Sequence, residues 1–116
     1  MDRQWILRKV LSEARELLWE SLPAAHDTLN RSTIKQLRRL LSIKMVHAAC
    51  YSADTDLSFV LRRLMLVLRD GAMLEREMIQ VLGSILFDPD LDETLGTELN
   101  VRVRRGRIIV LRKEDG

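Results

Sequence analysis

The residues best suited to metal or nucleophile chemistry in this sequence are His47 and Cys50. They stand three positions apart in the stretch HAAC, a spacing that places both on one turn of a helix. A structural zinc site needs four ligands, yet the chain has one further histidine, His26, and no second cysteine. No neighbouring group in the sequence could orient a Cys-His nucleophile. We therefore expect a half-buried histidine beside a small core thiol, with no metal site and no cofactor.

A run of aspartates in DPDLDETLGTELN imitates the first ligand positions of a calcium loop, with acids at Asp88, Asp90 and Asp92. The later positions depart from the motif, because Glu93 stands where the loop requires glycine and Leu99 where it requires a bidentate glutamate. Sequential carboxylates on one segment are also weak evidence for a two-metal nuclease. We interpret residues 88–98 as a solvated acidic loop that holds at most one helical turn, at 91–95.

The remaining composition favours a non-enzymatic protein of the cytoplasm. Glycine-rich phosphate loops, nucleophile elbows and dinucleotide fingerprints do not occur in the sequence. A single cysteine excludes an intramolecular disulfide and gives no sign of an oxidising compartment. The opening stretch MDRQWILRKVLSEARELL carries charges throughout its first turns, so we expect neither a signal peptide nor a membrane span.

Local excess of positive charge is the strongest functional signal, although the formal net charge is only +2. No acidic residue occurs from position 28 to position 53, and the basic residues there recur at helical spacing. The C-terminal stretch NVRVRRGRIIVLRK holds a second basic cluster. If both clusters lie on one side, they form a surface for backbone phosphates of DNA or RNA, with strong salt dependence and low sequence specificity. The candidate nucleic-acid-binding residues are Arg31, Lys35, Arg38, Arg39, Arg102, Arg104, Arg105 and Arg107.

A third group of arginines lies in the apolar segment LSFVLRRLMLVLRD. The alternative to phosphate binding for each basic cluster is a solvated helix face or, for Arg62 and Arg69, ion pairs with carboxylates inside the bundle. The stretch STIKQLRRLLSIKMVHAAC of the second helix and the C-terminal stretch contain no phenylalanine, tyrosine or tryptophan, so a phosphate binder is favoured over a single-strand reader that stacks bases.

These residues must be positioned by a mainly α fold, which we predict to be one domain spanning residues 1–116. Apolar residues at helical spacing predict a compact bundle of about four helices, at about 3–21, 32–51, 56–70 and 72–87. Asn30 or Ser32 should cap the second helix, Asp54 or Thr55 the third, and Gly71 should end the third. The expected buried stripe of the second helix is Ile34, Leu37, Leu41, Met45 and Ala48. The fourth should bury Leu74, Met78, Val81, Leu82 and Ile85.

Residues 99–113 predict a two-stranded antiparallel β-hairpin with its turn at Arg105-Gly106, which places Arg104 opposite Arg107. One face of the hairpin would be valine-rich and the other basic. An isolated hairpin is marginal in water, so its apolar face should pack on the bundle or join strands of another copy. The order helix, helix, helix, hairpin also permits a C-terminal winged helix, although its acidic third helix would repel DNA.

The stretch LRRLLSIKMVHAACYSADTDLS resembles the helical domain of archaeal GINS replication subunits. That resemblance implies a helical subunit of a larger complex and assigns no site residue. The segment 57–68 is apolar on nearly every side, and a small four-helix domain can enclose only one such helix. The alternative function is therefore a protein-assembly or scaffold subunit, either a homo-oligomer such as a homodimer or a component of a larger complex, with no direct nucleic-acid contact.

Overall fold

A computed structural model of the chain describes residues 3–21, 27–52, 54–95, 99–104 and 107–112. For 20–21, 27–29 and the strand residues of 99–112 it describes the backbone only. The Cα radius of gyration is 13.9 Å, close to the ~13 Å typical of a compact domain of about this length. The prediction of a mainly helical, compact bundle of about four helices is confirmed. The elements, in order, are α1 (Arg3–Ser21), α2 (Asp27–Leu41), α3 (Lys44–Tyr51), α4 (Asp56–Arg69), α5 (Glu75–Leu86), α6 (Pro89–Leu95), β1 (Leu99–Arg104) and β2 (Arg107–Arg112).

Helix α1 lies against α2, α3, α4 and α5 and supplies the centre of the core. Its apolar residues Leu7, Leu11, Ala14 and Leu18 are spaced for one helix face, and all four are fully buried. Complete burial of a leucine side chain contributes about 1.5–3 kcal/mol relative to its exposure. The amphipathic first helix is thus the element that the sequence pattern predicted most completely.

The predicted second helix at 32–51 is wrong, because the chain breaks between α2 and α3. At the break, the backbone N–H of Ser42 is shared between the oxygens of Arg38 and Arg39, and its hydroxyl donates to the Arg39 oxygen at 2.9 Å. Ile43 is then extended, with φ −61° and ψ 129°. A serine side chain that bonds to nearby backbone oxygens competes with the helical hydrogen bonds. The apolar residues keep their helical spacing across Ser42, so the sequence pattern does not reveal the break.

The break also changes which side of the chain is buried. Ile34, Leu37 and Leu41 are buried as predicted, whereas Met45 and Ala48 are exposed. Since α3 starts in a new rotational phase, its buried residues are Val46, Ala49 and Cys50. The expected N-caps Asn30 and Ser32 lie inside α2, which begins earlier, at Asp27.

Helix α4 begins with the predicted cap at Thr55. The Thr55 hydroxyl accepts the Ser58 N–H at 3.3 Å, while the Ser58 hydroxyl accepts the Thr55 N–H at 2.8 Å, a reciprocal capping box. The helix ends at Arg69, one residue before the predicted bound, and Asp70 is the C-cap directly before Gly71, with its N–H donating to the Val67 oxygen at 3.1 Å.

The apolar helix α4 packs against α1, α2, α3 and α5, but it is not enclosed on all sides. Leu61, Leu64 and Leu68 face the core, whereas Phe59 is 49% exposed and Leu66 is 66% exposed. An apolar stripe therefore remains on its outer surface.

The predicted helix at 72–87 is shorter, because α5 starts at Glu75. Leu74, expected to face inward, is the N-cap residue and is exposed, while Met78, Leu82 and Ile85 are buried as predicted and Val81 is half-buried. The acidic segment 88–98 contains more structure than one turn, since α6 extends over seven residues from Pro89 to Leu95.

Helix α6 is held against α1 by a buried ion pair. Arg15 is 6% exposed, and its Nη1 lies 2.7 Å from Asp92 Oδ1 while its Nε donates to the Leu86 oxygen at 2.7 Å. Leu91 and Leu95 are the buried apolar residues of α6. An arginine on the buried face of α1 thus positions the acidic segment.

Strands β1 and β2 pair antiparallel, with Leu99 opposite Arg112 and Arg104 opposite Arg107, and β1 adjoins α6. The turn residues 105–106 lie outside the described residues. The helices and strands from α4 to β2 follow the order of the winged-helix alternative, which stays a prediction.

Candidate nucleic-acid interface

The four candidate basic residues of α2, Arg31, Lys35, Arg38 and Arg39, are all exposed. Arg31 Nε lies 3.2 Å from Glu75 Oε1, in a pair whose arginine side chain is 74% exposed. A surface pair of this kind contributes about 0–1 kcal/mol. In the described part of the chain, the other three cations form no ion pair. The basic face of α2 therefore stays largely uncompensated.

An open groove of about 430 Å³ lies where α2, α3 and α4 meet. It brings Arg38 of α2 beside Arg69 of α4, a residue that the sequence did not place in the candidate set. The apolar residues of its lining are buried, whereas the polar ones are exposed. We name this site the basic groove, lined by Arg38, Leu41, Ser42, His47, Met65, Leu68 and Arg69.

The two arginines of the basic groove differ in how they are held. Arg38 Nε donates to the backbone oxygen of Leu68 at 3.0 Å, which satisfies a carbonyl in the last turn of α4 and fixes the guanidinium at the groove edge. Arg69 is exposed, and the expected pairing with a bundle carboxylate is not formed among the described side chains. The groove thus carries two positive charges and no lining carboxylate.

This charge arrangement follows from where the sequence omits acids. Residues 28–53 contain none, and neither do residues 57–68 of α4. The residues that line the groove come from these two acid-free stretches and from Arg69, so the lining itself contains no carboxylate. The packing of α4 on α2, which brings Arg69 to this edge, could not be inferred from helical spacing alone.

A second feature extends from the groove along α3 and α4. The His47 and Tyr51 rings have centroids 4.7 Å apart, the Arg62 guanidinium carbon lies 5.1 Å from the Tyr51 centroid, and the same carbon lies 5.4 Å from the Phe59 centroid. We name these four residues the aromatic row. Such distances are typical of ring stacking and of cation–π contacts.

Arg62 is fixed at the centre of the aromatic row by two polar contacts. Its Nε donates to the Cys50 oxygen at 3.2 Å, and its Nη1 pairs with Asp54 Oδ1 at 3.0 Å. A carboxylate pair for Arg62 was one of the expected alternatives, and it forms with the α3–α4 connection rather than with the first or fourth helix. The expectation that the predicted second helix, at 32–51, lacks stacking side chains is wrong, because His47 and Tyr51 of the row fall within that range, on α3.

The His47 and Cys50 side chains have different environments. Cys50 is fully buried, with its Sγ 3.5 Å from the Ser58 oxygen, and His47 is exposed at the groove. Burial raises the pKa of the Cys50 thiol above its ordinary value, and the nearby Arg62 charge opposes that rise. Within the described residues, no group of three or more histidine, cysteine, aspartate or glutamate side chains could hold a metal ion. His26 lies outside them.

A second cleft, of about 330 Å³, lies between α4, α5 and α6 and has the opposite charge. Three carboxylates, of Asp56, Asp88 and Asp90, share its lining with one cation, Arg63. We name it the acidic cleft. Asp88 Oδ1 accepts the Asp90 N–H at 2.8 Å, so part of this charge caps α6.

The second half of the candidate set lies on the strands. Arg102, Arg104 and Arg107 belong to β1 and β2, whose side chains are not described, and Arg105 lies outside the described residues. A shared surface between these arginines and α2 therefore stays a prediction. Across the described ranges, no helix combines the length and the apolar character needed to cross a membrane.

Comparison with known proteins gives no relative. No protein-family model, no curated protein and no solved structure matches this chain. Functional reasoning therefore starts from the two charged sites and the aromatic row.

Proposed function

We propose that this protein is a small, non-enzymatic accessory subunit of the cytoplasm that binds nucleic acid through backbone phosphates with low sequence specificity. The observation that carries the proposal is the convergence of Arg38 and Arg69, from two different helices, on an open groove without a lining carboxylate. The exposed Lys35 and Arg39 extend the positive surface along α2.

Arginine suits this role because its planar guanidinium presents several donors in a fork that matches phosphate oxygens. The bond from Arg38 Nε to the Leu68 oxygen leaves the terminal guanidinium nitrogens of Arg38 at the groove edge. Because folding already orders this side chain, binding loses less conformational entropy. Phosphate contacts of this kind fix position on a strand and carry no direct sequence information. The strand arginines would extend the surface if β1 and β2 lie on the same side.

Fluorescence anisotropy with a labelled oligonucleotide at about 50 and 200 mM salt tests the proposal. If Lys35, Arg38, Arg39 and Arg69 each contact one phosphate, the affinity should fall by roughly 50- to 150-fold over that range, since each contact contributes about 0.7–0.9 to the logarithmic salt slope. Absence of binding at the lower salt concentration would contradict the proposal.

The second candidate is protein assembly, which one observation favours. Leu66 and Leu74 are each 66% exposed and Met45 is 55% exposed, so large apolar side chains are accessible to a partner protein. A homodimer or a larger complex, including a replication complex, would cover them. Light scattering across a concentration series separates the two candidates in part, because a strict monomer at all concentrations would count against self-assembly.

A further inference from the structure

We propose that the nucleic acid bound at the basic groove is single-stranded, with unpaired bases stacked on the aromatic row. This inference rests on the proposed function and adds the class of strand. The basic groove and the aromatic row are continuous, their rings are accessible, and the central guanidinium is held in place.

Continuity comes from His47, which belongs to both sites. It lines the basic groove with Arg38 and Arg69, and its ring contacts that of Tyr51 in a tilted arrangement, with 4.7 Å between the two centroids. The row then continues through the Arg62 guanidinium to Phe59, with 5.1 Å and 5.4 Å between neighbouring groups. A strand whose phosphate is held by the two arginines therefore has flat surfaces next to it on one side.

Both rings are accessible to a ligand. Tyr51 and Phe59 are each 49% exposed, so each contributes about half its surface to the solvent. Arg62 lies between them, and its bonds to the Cys50 oxygen and to Asp54 hold the guanidinium in place before any ligand arrives. Aromatic rings and arginine planes stack on all four bases because every base has a π face, which agrees with low sequence specificity.

A duplex would use only part of this surface. Its phosphates could reach the basic groove, but its bases are stacked on each other inside the helix and could not contact Tyr51 or Phe59. An unpaired stretch of several nucleotides satisfies both features at once, with phosphates at Arg38 and Arg69 and bases on the row. The chemistry is the same for DNA and RNA.

The test compares a labelled 12-nucleotide oligothymidine with a duplex of equal length, by anisotropy at about 50 mM salt. We expect the single strand to bind more tightly. Tyr51→Ala and Phe59→Ala should each weaken single-strand binding by about fivefold or more, since one stacked base contributes about 1–3 kcal/mol. The duplex affinity and the salt slope should not change, because no phosphate contact is lost.

The matched control is Trp5→Ala. Trp5 is also an exposed ring with a cation over it, Lys9 Nζ at 5.0 Å, but it lies on α1, and no ring contact joins it to the row among the described residues. Its removal should leave both affinities unchanged. Tyr51→Phe should retain the single-strand affinity and Tyr51→Leu should weaken it as much as Tyr51→Ala, which separates the ring face from apolar bulk if Tyr51→Ala is poorly folded.

The outcomes for the two proposals differ. Equal binding of single strand and duplex with a steep salt slope would overturn the single-strand inference and leave phosphate binding intact. Equal losses for both ligands in Tyr51→Ala would also overturn it, since the effect would then not come from stacking. Absence of binding to either ligand at 50 mM salt would overturn both.

Discussion

The basic groove and the acidic cleft are two concave sites of similar size on the same helix, and their charges are opposite. The groove, about 430 Å³, has Arg69 near the end of α4 beside Arg38. The cleft, about 330 Å³, has Arg63 beside the carboxylates of Asp56, Asp88 and Asp90. Two arginines six positions apart on one helix thus occupy opposite electrostatic environments.

The comparison shows that the net charge of +2 conceals two separate charged surfaces. The attraction between a cation and a polyanion is weaker where carboxylates lie near the cation, because they reduce the local positive potential. Arg69 should therefore attract phosphate strongly and Arg63 weakly, although both side chains are exposed and lie on the same element.

The largest effect on the free energy of unfolding is expected from Arg15→Met, which removes the buried ion pair of α6, a helix that lines the acidic cleft. The substitution leaves Asp92 without its 2.7 Å partner in a mostly buried position and frees the Leu86 oxygen. Removal of one member of a buried ion pair costs about 3–5 kcal/mol. Urea unfolding should show a loss of that order, and α6 should detach first.

The double change Arg15→Met and Asp92→Leu is the control for that prediction. It removes both buried charges, so much of the lost free energy of unfolding should return. A loss of less than about 1 kcal/mol in the single variant would show that the pair does not hold α6.

The next largest effect is expected from Arg38→Gln with Arg69→Gln, which removes both cations of the basic groove. Each lost phosphate contact should weaken binding at 50 mM salt by about tenfold, giving about 100-fold for the pair. Anisotropy measures the loss, and circular dichroism confirms the helix content. An affinity within threefold of the original protein would show that the groove is not the phosphate site.

A smaller effect is expected from Thr55→Ala, which removes the cap beside Asp56 at the cleft end of α4. Loss of an N-cap side chain costs about 0.5–2 kcal/mol of folding free energy. Because Arg69 lies at the opposite end of the helix, affinity for an oligonucleotide should stay unchanged while the thermal midpoint falls. A parallel fall in affinity at a temperature where the protein is folded would refute the independence of the two ends.

The smallest effect is expected from Glu75→Gln, which releases Arg31 from its surface ion pair. The pair joins Arg31 Nε to Glu75 Oε1 at 3.2 Å and is mostly exposed, so the free energy of unfolding should change by less than about 1 kcal/mol. Affinity at low salt should rise by about two- to fivefold, because a negative charge leaves the basic face of α2. A lower affinity would mean that Glu75 orients Arg31 for binding.

Helical spacing predicted the elements well where one periodic pattern was uninterrupted. Leu7, Leu11 and Leu18 fixed the buried face of α1, and Thr55 marked the start of α4. The break at Ser42 was not predicted, because apolar residues continue at helical spacing on both sides of it. The hydrogen bonds of Ser42 that end α2 do not change that spacing.

The candidate site was predicted in part. The exposed cations of α2 followed from the absence of acids, but Arg69 enters the site only through the packing of α4 against α2 and α3. The aromatic row was missed for the same reason, since Tyr51 and Phe59 belong to different helices and meet through Arg62. Contacts between elements are not encoded in the period of either helix.

The salt dependence of oligonucleotide binding in Arg69→Gln and Arg63→Gln tests whether phosphates bind at the basic groove. Each variant removes one positive charge from α4, so the net charge changes equally in both. We predict that Arg69→Gln lowers the magnitude of the logarithmic salt slope by about 0.7–0.9, whereas Arg63→Gln leaves it unchanged. Equal slopes in the two variants would contradict the claim that the basic groove is the phosphate-binding site.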